Sequence, residues 1–78
     1  MKVWIVEGIV DDDPSIICGF TSRESCEQFM SECQDFENDL LTAKYNDGFQ
    51  AWKDMMVNHP NGQGEYYDTY QSTCVEIR

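Results

Sequence analysis

A chain of 78 residues has room for one hydrophobic core, so residues 1–78 form a single domain that leaves much of its surface exposed after folding. Hydrophobic residues at 41%, with 13% aromatic, exclude an intrinsically disordered chain. Fifteen Asp and Glu against five Lys and Arg give a formal charge of -10 at pH 7, which excludes nucleic acid as a direct ligand, because binding a polyanion requires cations that displace its counterions. A basic protein surface is the natural partner.

Lys2 to Val10 reads Lys-Val-Trp-Ile-Val-Glu-Gly-Ile-Val, rich in β-branched and aromatic residues, and is a predicted strand. Val3, Ile5 and Ile9 alternate with Trp4, Val6 and Val10, so both faces are apolar, the pattern of a central strand. If helices cover one face only, the other needs a cover, and a homodimer through the sheet by way of Trp4 and Val6 is the expectation. Asp11-Asp12-Asp13-Pro14 is turn chemistry. The alternating spacing, glycine and distal glutamate of a calcium loop are missing there, so the three aspartates read as a solvated turn and no metal is expected. Ser15 to Phe20 returns as a second, antiparallel strand.

At Thr21 the apolar period changes from two to three and four, the mark of a strand-to-helix junction. Thr21 with Glu24 has the form of a capping box. A first helix is predicted from about Ser22 to Phe36, with an apolar stripe of Cys26, Phe29, Met30, Cys33 and Phe36 opposite Glu24, Glu27, Gln28, Glu32 and Asp35. Asn38 has the chemistry of an N-cap, and Leu41, Tyr45, Phe49, Trp52 and Met56 predict a second helix from about Asp39 to Asn58, with a break or kink marked at Asn46-Asp47-Gly48. His59, the only histidine, stands before Pro60 at a helix C-terminus, where a cation suits the dipole. Loop residues follow to Gly64. Glu65 to Arg78 is extended, either one long strand or a pair broken near Gln71-Ser72. The fold class is α+β: a small single-domain α/β sandwich of β-β-α-α-β order, with a three- to four-stranded, mainly antiparallel sheet and two helices on one face.

The cysteines are Cys18, Cys26, Cys33 and Cys74, with no CxxC pair. On one helix Cys26 and Cys33 stand about 10 Å apart along the axis, too far for a disulfide or a shared metal. Buried free thiols in a reducing cytoplasm are the expectation, for Cys18 and Cys74 as well. No run is apolar enough to cross a bilayer and no signal-peptide pattern opens the chain, so a cytoplasmic location is expected.

The junction Gly19-Phe20-Thr21-Ser22-Arg23-Glu24-Ser25-Cys26-Glu27-Gln28-Phe29, after the opening Met1-Lys2-Val3-Trp4-Ile5-Val6, resembles a group of short uncharacterised proteins common in bacteriophage and bacterial genomes. Those open with a similar strand, a hairpin and a helix start that pairs Ser or Thr with a following Glu; alanine usually stands where this chain has Cys26. The likeness covers the first third of the chain and the acidic, tyrosine-rich end. It implies a small accessory protein, phage-encoded.

For chemistry, no nucleophile with its base, metal cluster or phosphate cradle is legible, so a non-enzymatic protein without cofactor is expected. Glu24, Glu27, Ser31 and Asp35 recur at three, four and four along one predicted helix face, carboxylates at separations comparable to phosphates. With Glu32, and with Asp11, Asp12 and Asp13 as a second patch, they are the candidate partner-binding residues. The expected role is inhibition of a basic nucleic-acid-binding host protein by nucleic-acid mimicry, of the anti-CRISPR or anti-restriction type. Two alternatives stand beside it: an adaptor using an aromatic surface of Trp4, Tyr66, Tyr67 and Tyr70, and a small-ligand or metal-binding dimer.

Overall fold

β1 (Lys2–Val10) forms from the predicted opening strand and becomes the centre of a three-stranded sheet, flanked by β2 (Asp13–Phe20) and β3 (Thr69–Glu76) in the order β2-β1-β3. Between β2 and β3 the chain forms α1 (Arg23–Asn46) and α2 (Phe49–Val57). The computed structural model describes all of residues 1–78. Both pairings are antiparallel, and the C-terminal stretch supplies one strand only. Its ladder runs past Glu76, since Met1 N–H donates to the Ile77 carbonyl at 3.1 Å and Ile77 N–H to the Met1 carbonyl at 2.7 Å.

The Val10–Asp13 pair closes a hairpin whose loop is Asp11-Asp12, with φ of 51° and 64°. Two consecutive left-handed residues make the primed turn whose twist matches that of the flanking strands. Aspartate is among the few non-glycine residues that enter this region, at some cost. Between Val6 and Glu7 the register skips: Val6 faces Cys18 and Glu7 faces Ile16, which leaves Ile17 as a bulge.

α1 begins one residue later than the capping box predicts. Ser22 is the N-cap: its backbone is extended and its hydroxyl accepts the Ser25 N–H at 3.3 Å. Glu24 therefore falls at the second helical position, where its charge suits the helix dipole but its carboxylate is not placed to close a box. The helix also runs straight through Asn38 instead of ending at Phe36. Neither glycine nor proline interrupts it there, and the buried stripe Cys26, Cys33, Glu37, Leu40, Ala43 keeps its spacing across that point. The break comes at Gly48, whose φ of 90° and ψ of 178° belong to glycine alone. α2 then folds back on the C-terminal half of α1, and α1 alone meets the strands.

Trp4, Val6 and Gly8 lie on the α1 side of the sheet. Phe20, opposite Trp4, packs on Phe29 of α1 with ring centroids 5.3 Å apart, and Tyr70, opposite Gly8, bonds to Glu37 of α1. The expected homodimer contact through Trp4 and Val6 is thereby corrected, because the helix occupies that face. Val3, Ile5 and Ile9 point the other way, away from α1, and are half-buried. The core is thin: Val6, Cys26, Cys33, Leu40, Ala43, Met56 and Tyr67 are its buried apolar residues. The molecule is drawn out to 48 × 23 × 15 Å, with its main apolar layer between the sheet and α1 and Met56 of α2 extending it along the helices.

Gly8 is there because the Tyr67 ring lies on it, and a Cβ would stand 2.5 Å from two ring atoms. Gly8→Ala should cost about 1–3 kcal/mol, read as a lower urea midpoint. Asp12→Gly should do the reverse, relieving left-handed strain at an exposed position by about 1 kcal/mol. In a domain this small that raises the melting temperature by about 4–8 °C.

Candidate functional site

The helix face toward the sheet carries one carboxylate among its apolar residues. Glu37, four residues after Cys33 and three before Leu40, is buried, and its Oε1 receives two donors. His59 approaches it through Nε2 at 2.5 Å and the Tyr70 hydroxyl donates to it at 2.6 Å. The Asn61 backbone N–H donates to His59 Nδ1 at 3.1 Å, so Nδ1 carries no proton and Nε2 is the donor to Glu37. The Asn61 side chain donates to the Tyr70 oxygen at 3.1 Å and to the Glu65 carbonyl at 3.0 Å, while its own oxygen accepts the Gln63 N–H at 2.9 Å. Phe36 closes over the imidazole, with ring centroids 4.6 Å apart. Glu37 Oε2 is buried without a hydrogen-bond partner.

This arrangement holds a general acid, a general base and a phenol within hydrogen-bonding distance, yet it is sealed. The side chains of His59 and Glu37 are 0% and 2% exposed. A reacting group has no approach, and the cluster instead ties α1, the loop after α2 and β3 together. Its hydroxyl and thiol neighbours are held in their neutral forms. Burial first, then the bond to Glu37, pushes the Tyr70 phenol well above the ordinary tyrosine range. Burial, with the Glu37 charge behind it, pushes the Cys33 thiol up to about 11.

The expectation that His59 caps a helix C-terminus as a cation is corrected, since its ring is buried and hydrogen-bonded to Glu37. Glu37 was missed because ending the first helix at Phe36 hid it. The signal was present: Cys26, Cys33, Glu37 and Leu40 are all phased to one helix face if the helix continues.

The predicted partner-binding acids on α1 are all exposed. At 100° per residue Glu24 and Asp35 lie almost in line, about 17 Å apart along the axis, with Glu27 and Glu32 to either side across roughly 140° of the outer surface. Asp39, also exposed, continues the array. Glu27 is paired with Arg23 at 3.0 Å and Glu32 accepts from Gln28 at 3.1 Å, whereas Glu24, Asp35 and Asp39 form no ion pair. Asp11, Asp12 and Asp13 do not join this array. They sit at the Val10 end of β1, beside Asp68, whose carboxylate accepts the Asp11 N–H at 3.4 Å, while the α1 N-terminus lies over the Lys2–Trp4 end.

The predicted aromatic surface is largely taken up by the fold. Tyr67 is buried against Gly8 of the central strand, Tyr70 is held by Glu37, and Trp4 and Tyr66 are half-buried. Burial foremost, then a neighbouring carboxylate, also raises the Tyr66 and Tyr67 hydroxyls, Asp68 acting on the first and Glu65 on the second. The aromatic residues that do reach solvent are on the helical arm: Tyr45 is 86% exposed, and Phe49, 61% exposed, stacks on Trp52 at 5.5 Å. All four cysteines are free. Cys26 and Cys33 are buried as expected, but Cys74 is exposed, and Cys18 and Cys74 lie on strands to either side of β1 and two residues out of step, about 12 Å apart by strand geometry. No helix is long and apolar enough to cross a membrane. Comparison with known proteins finds no matching family model, curated protein or solved structure.

The raised Tyr70 and Cys33 ionisations carry a pH dependence with a definite sign. In the unfolded chain these groups lose their protons near their ordinary values, about 10 and 8.5, while the folded state holds them longer. Between those limits the folded state binds more protons, so stability is fully present at neutral pH and declines as pH rises, toward about 11 for the thiol and beyond for the phenol. The urea midpoint should therefore be level near pH 7 and drop from about pH 9 upward, and Tyr70→Phe should make the drop above about pH 10 shallower. A midpoint unchanged to pH 11 would refute this account.

Proposed function

We propose that this chain is a non-enzymatic binding protein whose outer acidic surface occupies the cationic cleft of a nucleic-acid-binding protein, as an inhibitor of the anti-CRISPR or anti-restriction type would. The observation that supports the reading is the placement of charge. Every acidic side chain except Glu7 and Glu37 is exposed, and on α1 Glu24, Asp35 and Asp39 stand on a 24-residue helix with no cation to neutralise them. A rigid helix presents such charges at fixed intervals, and the net charge steers a basic partner from a distance.

The magnitude narrows the partner. A charge of -10 over the 48 Å long axis is one net charge per about 5 Å, against one per about 1.7 Å in duplex DNA and about 3.4 Å along one strand. The potential is closer to that of a single strand, so the fitting target is a cleft that follows one phosphate backbone. A second reading rests on the exposed aromatic residues of the arm, Tyr45 and Phe49, which suit an adaptor contact.

Binding to the captured partner separates the two. For the acidic mode, raising salt from 0.1 to 0.5 M shortens the Debye length from about 10 to about 4 Å, and affinity should fall more than tenfold. The triple variant Glu24→Lys, Asp35→Lys, Asp39→Lys should abolish binding, and a single-stranded oligonucleotide should compete. Salt-resistant binding that is lost on Tyr45→Ala with Phe49→Ala would replace this reading with the adaptor.

A further inference from the structure

We infer that the open face of the sheet is a self-association surface, and that two copies of this chain pack through it face to face. On that face, opposite the one α1 packs on, stand Val3, Ile5 and Ile9 of β1 with Ile16 of β2 and Val75 of β3, and α2 meets no strand. The register places them together: Val3 lies opposite Val75, Gly19 lets Val3 and Ile5 close over β2, and the bulge at Ile17 brings Ile16 into line with Glu7. Ile16 is 74% exposed and Val75 42%. An antiparallel sheet normally presents polar residues on its solvated side. Here β1 and Ile16 make the centre and one edge of the face apolar, while β3 contributes Thr69, Gln71 and Thr73 beside Val75.

Two observations identify the occupant as a second copy. The first is charge. In a chain carrying 15 acidic residues the β1 contribution to this face has one, Glu7, and its carboxylate accepts a hydrogen bond from Gln71 at 3.3 Å. A basic partner has little to pair with there, whereas a charge-poor face lets two acidic molecules approach. With layers about 10 Å apart, stacked sheets would hold the two α1 helices about 30 Å from each other, beyond a Debye length of about 8 Å, so the acidic surfaces do not oppose the contact strongly. The second is area. Three strands of eight residues give a footprint of roughly 27 × 14 Å, about 760 Å² for two flat faces, and the corrugation of the side chains brings the buried area toward about 1,000 Å², where specific interfaces begin.

Sedimentation equilibrium on the full chain, from about 10 μM to about 1 mM, tests this against the 9.1 kDa monomer mass. The expected result is a shift toward twice that mass with rising concentration, tightened by 0.5 M salt because repulsion is screened while apolar burial is not. Ile16→Lys and Val75→Lys, on opposite edge strands and already exposed, should each return the mass to 9.1 kDa with an unchanged circular dichroism spectrum. Tyr45→Lys on the helical arm should leave the dimer intact. A monomer at every concentration, a dimer that survives both strand variants, or one lost on Tyr45→Lys overturns the inference. The acidic-surface reading is tested apart from this, since its partner binding weakens with salt where this association tightens.

Discussion

A single carboxylate oxygen, Glu37 Oε1, holds three distant parts of this chain in one place. It receives His59 from 22 residues away and Tyr70 from 33 residues away, so the helix, the loop after α2 and an edge strand meet at one acceptor. Burying a carboxylate in a chain already charged to -10 is costly, and an apolar trio of the same shape would often be as stable. What the polar cluster adds is geometry. A stripe of Cys26, Cys33, Leu40 and Ala43 permits some sliding and rotation of α1 on the sheet; a hydrogen-bonded Glu37 permits little. Fixing that rotation fixes the outward direction of Glu24, Asp35 and Asp39.

The loop from His59 to Asp68 shows the same logic at the level of the backbone. It has no regular structure, yet it is anchored at intervals by His59 to Glu37, Asn61 to Tyr70 and Glu65, Tyr67 on Gly8, and Asp68 N–H to the Ile9 carbonyl. Asn61 alone satisfies backbone and side-chain groups in three directions. A segment of this length without regular structure is normally mobile, and here specific polar contacts take the place of a secondary-structure ladder.

Much of the architecture could be read from local chemistry. The β-branched opening run, the period change at Thr21 and the Asn46-Asp47-Gly48 punctuation mark the strands, the first helix and the break, and they do so because each is a short-range effect. Asn38 misled because N-cap chemistry in the middle of a continuous stripe is overridden by packing: the helix goes on when Leu40 and Ala43 gain more from burial than Asn38 gains from capping. His59 misled for a longer-range reason. Whether an imidazole beside a proline caps a helix or enters the core depends on an acceptor 22 residues earlier, which no local window contains. Which of the two apolar faces of β1 meets the helix was equally illegible, since Val3, Ile5, Ile9 and Trp4, Val6, Val10 are alike in composition.

The two exposed surfaces differ in physics as well as position. Charges such as those on outer α1 act over distances set by ionic strength, whereas an apolar face such as the open side of the sheet acts only at contact, through area. Joined through the sheets, a pair of chains would direct both acidic helices outward, about 30 Å apart by layer spacing. Such a particle could engage two cationic clefts at once, and the second contact would then form at the effective concentration set by the first instead of the bulk concentration. The apolar face, which takes no part in recognition itself, would then decide how strongly the acidic face binds.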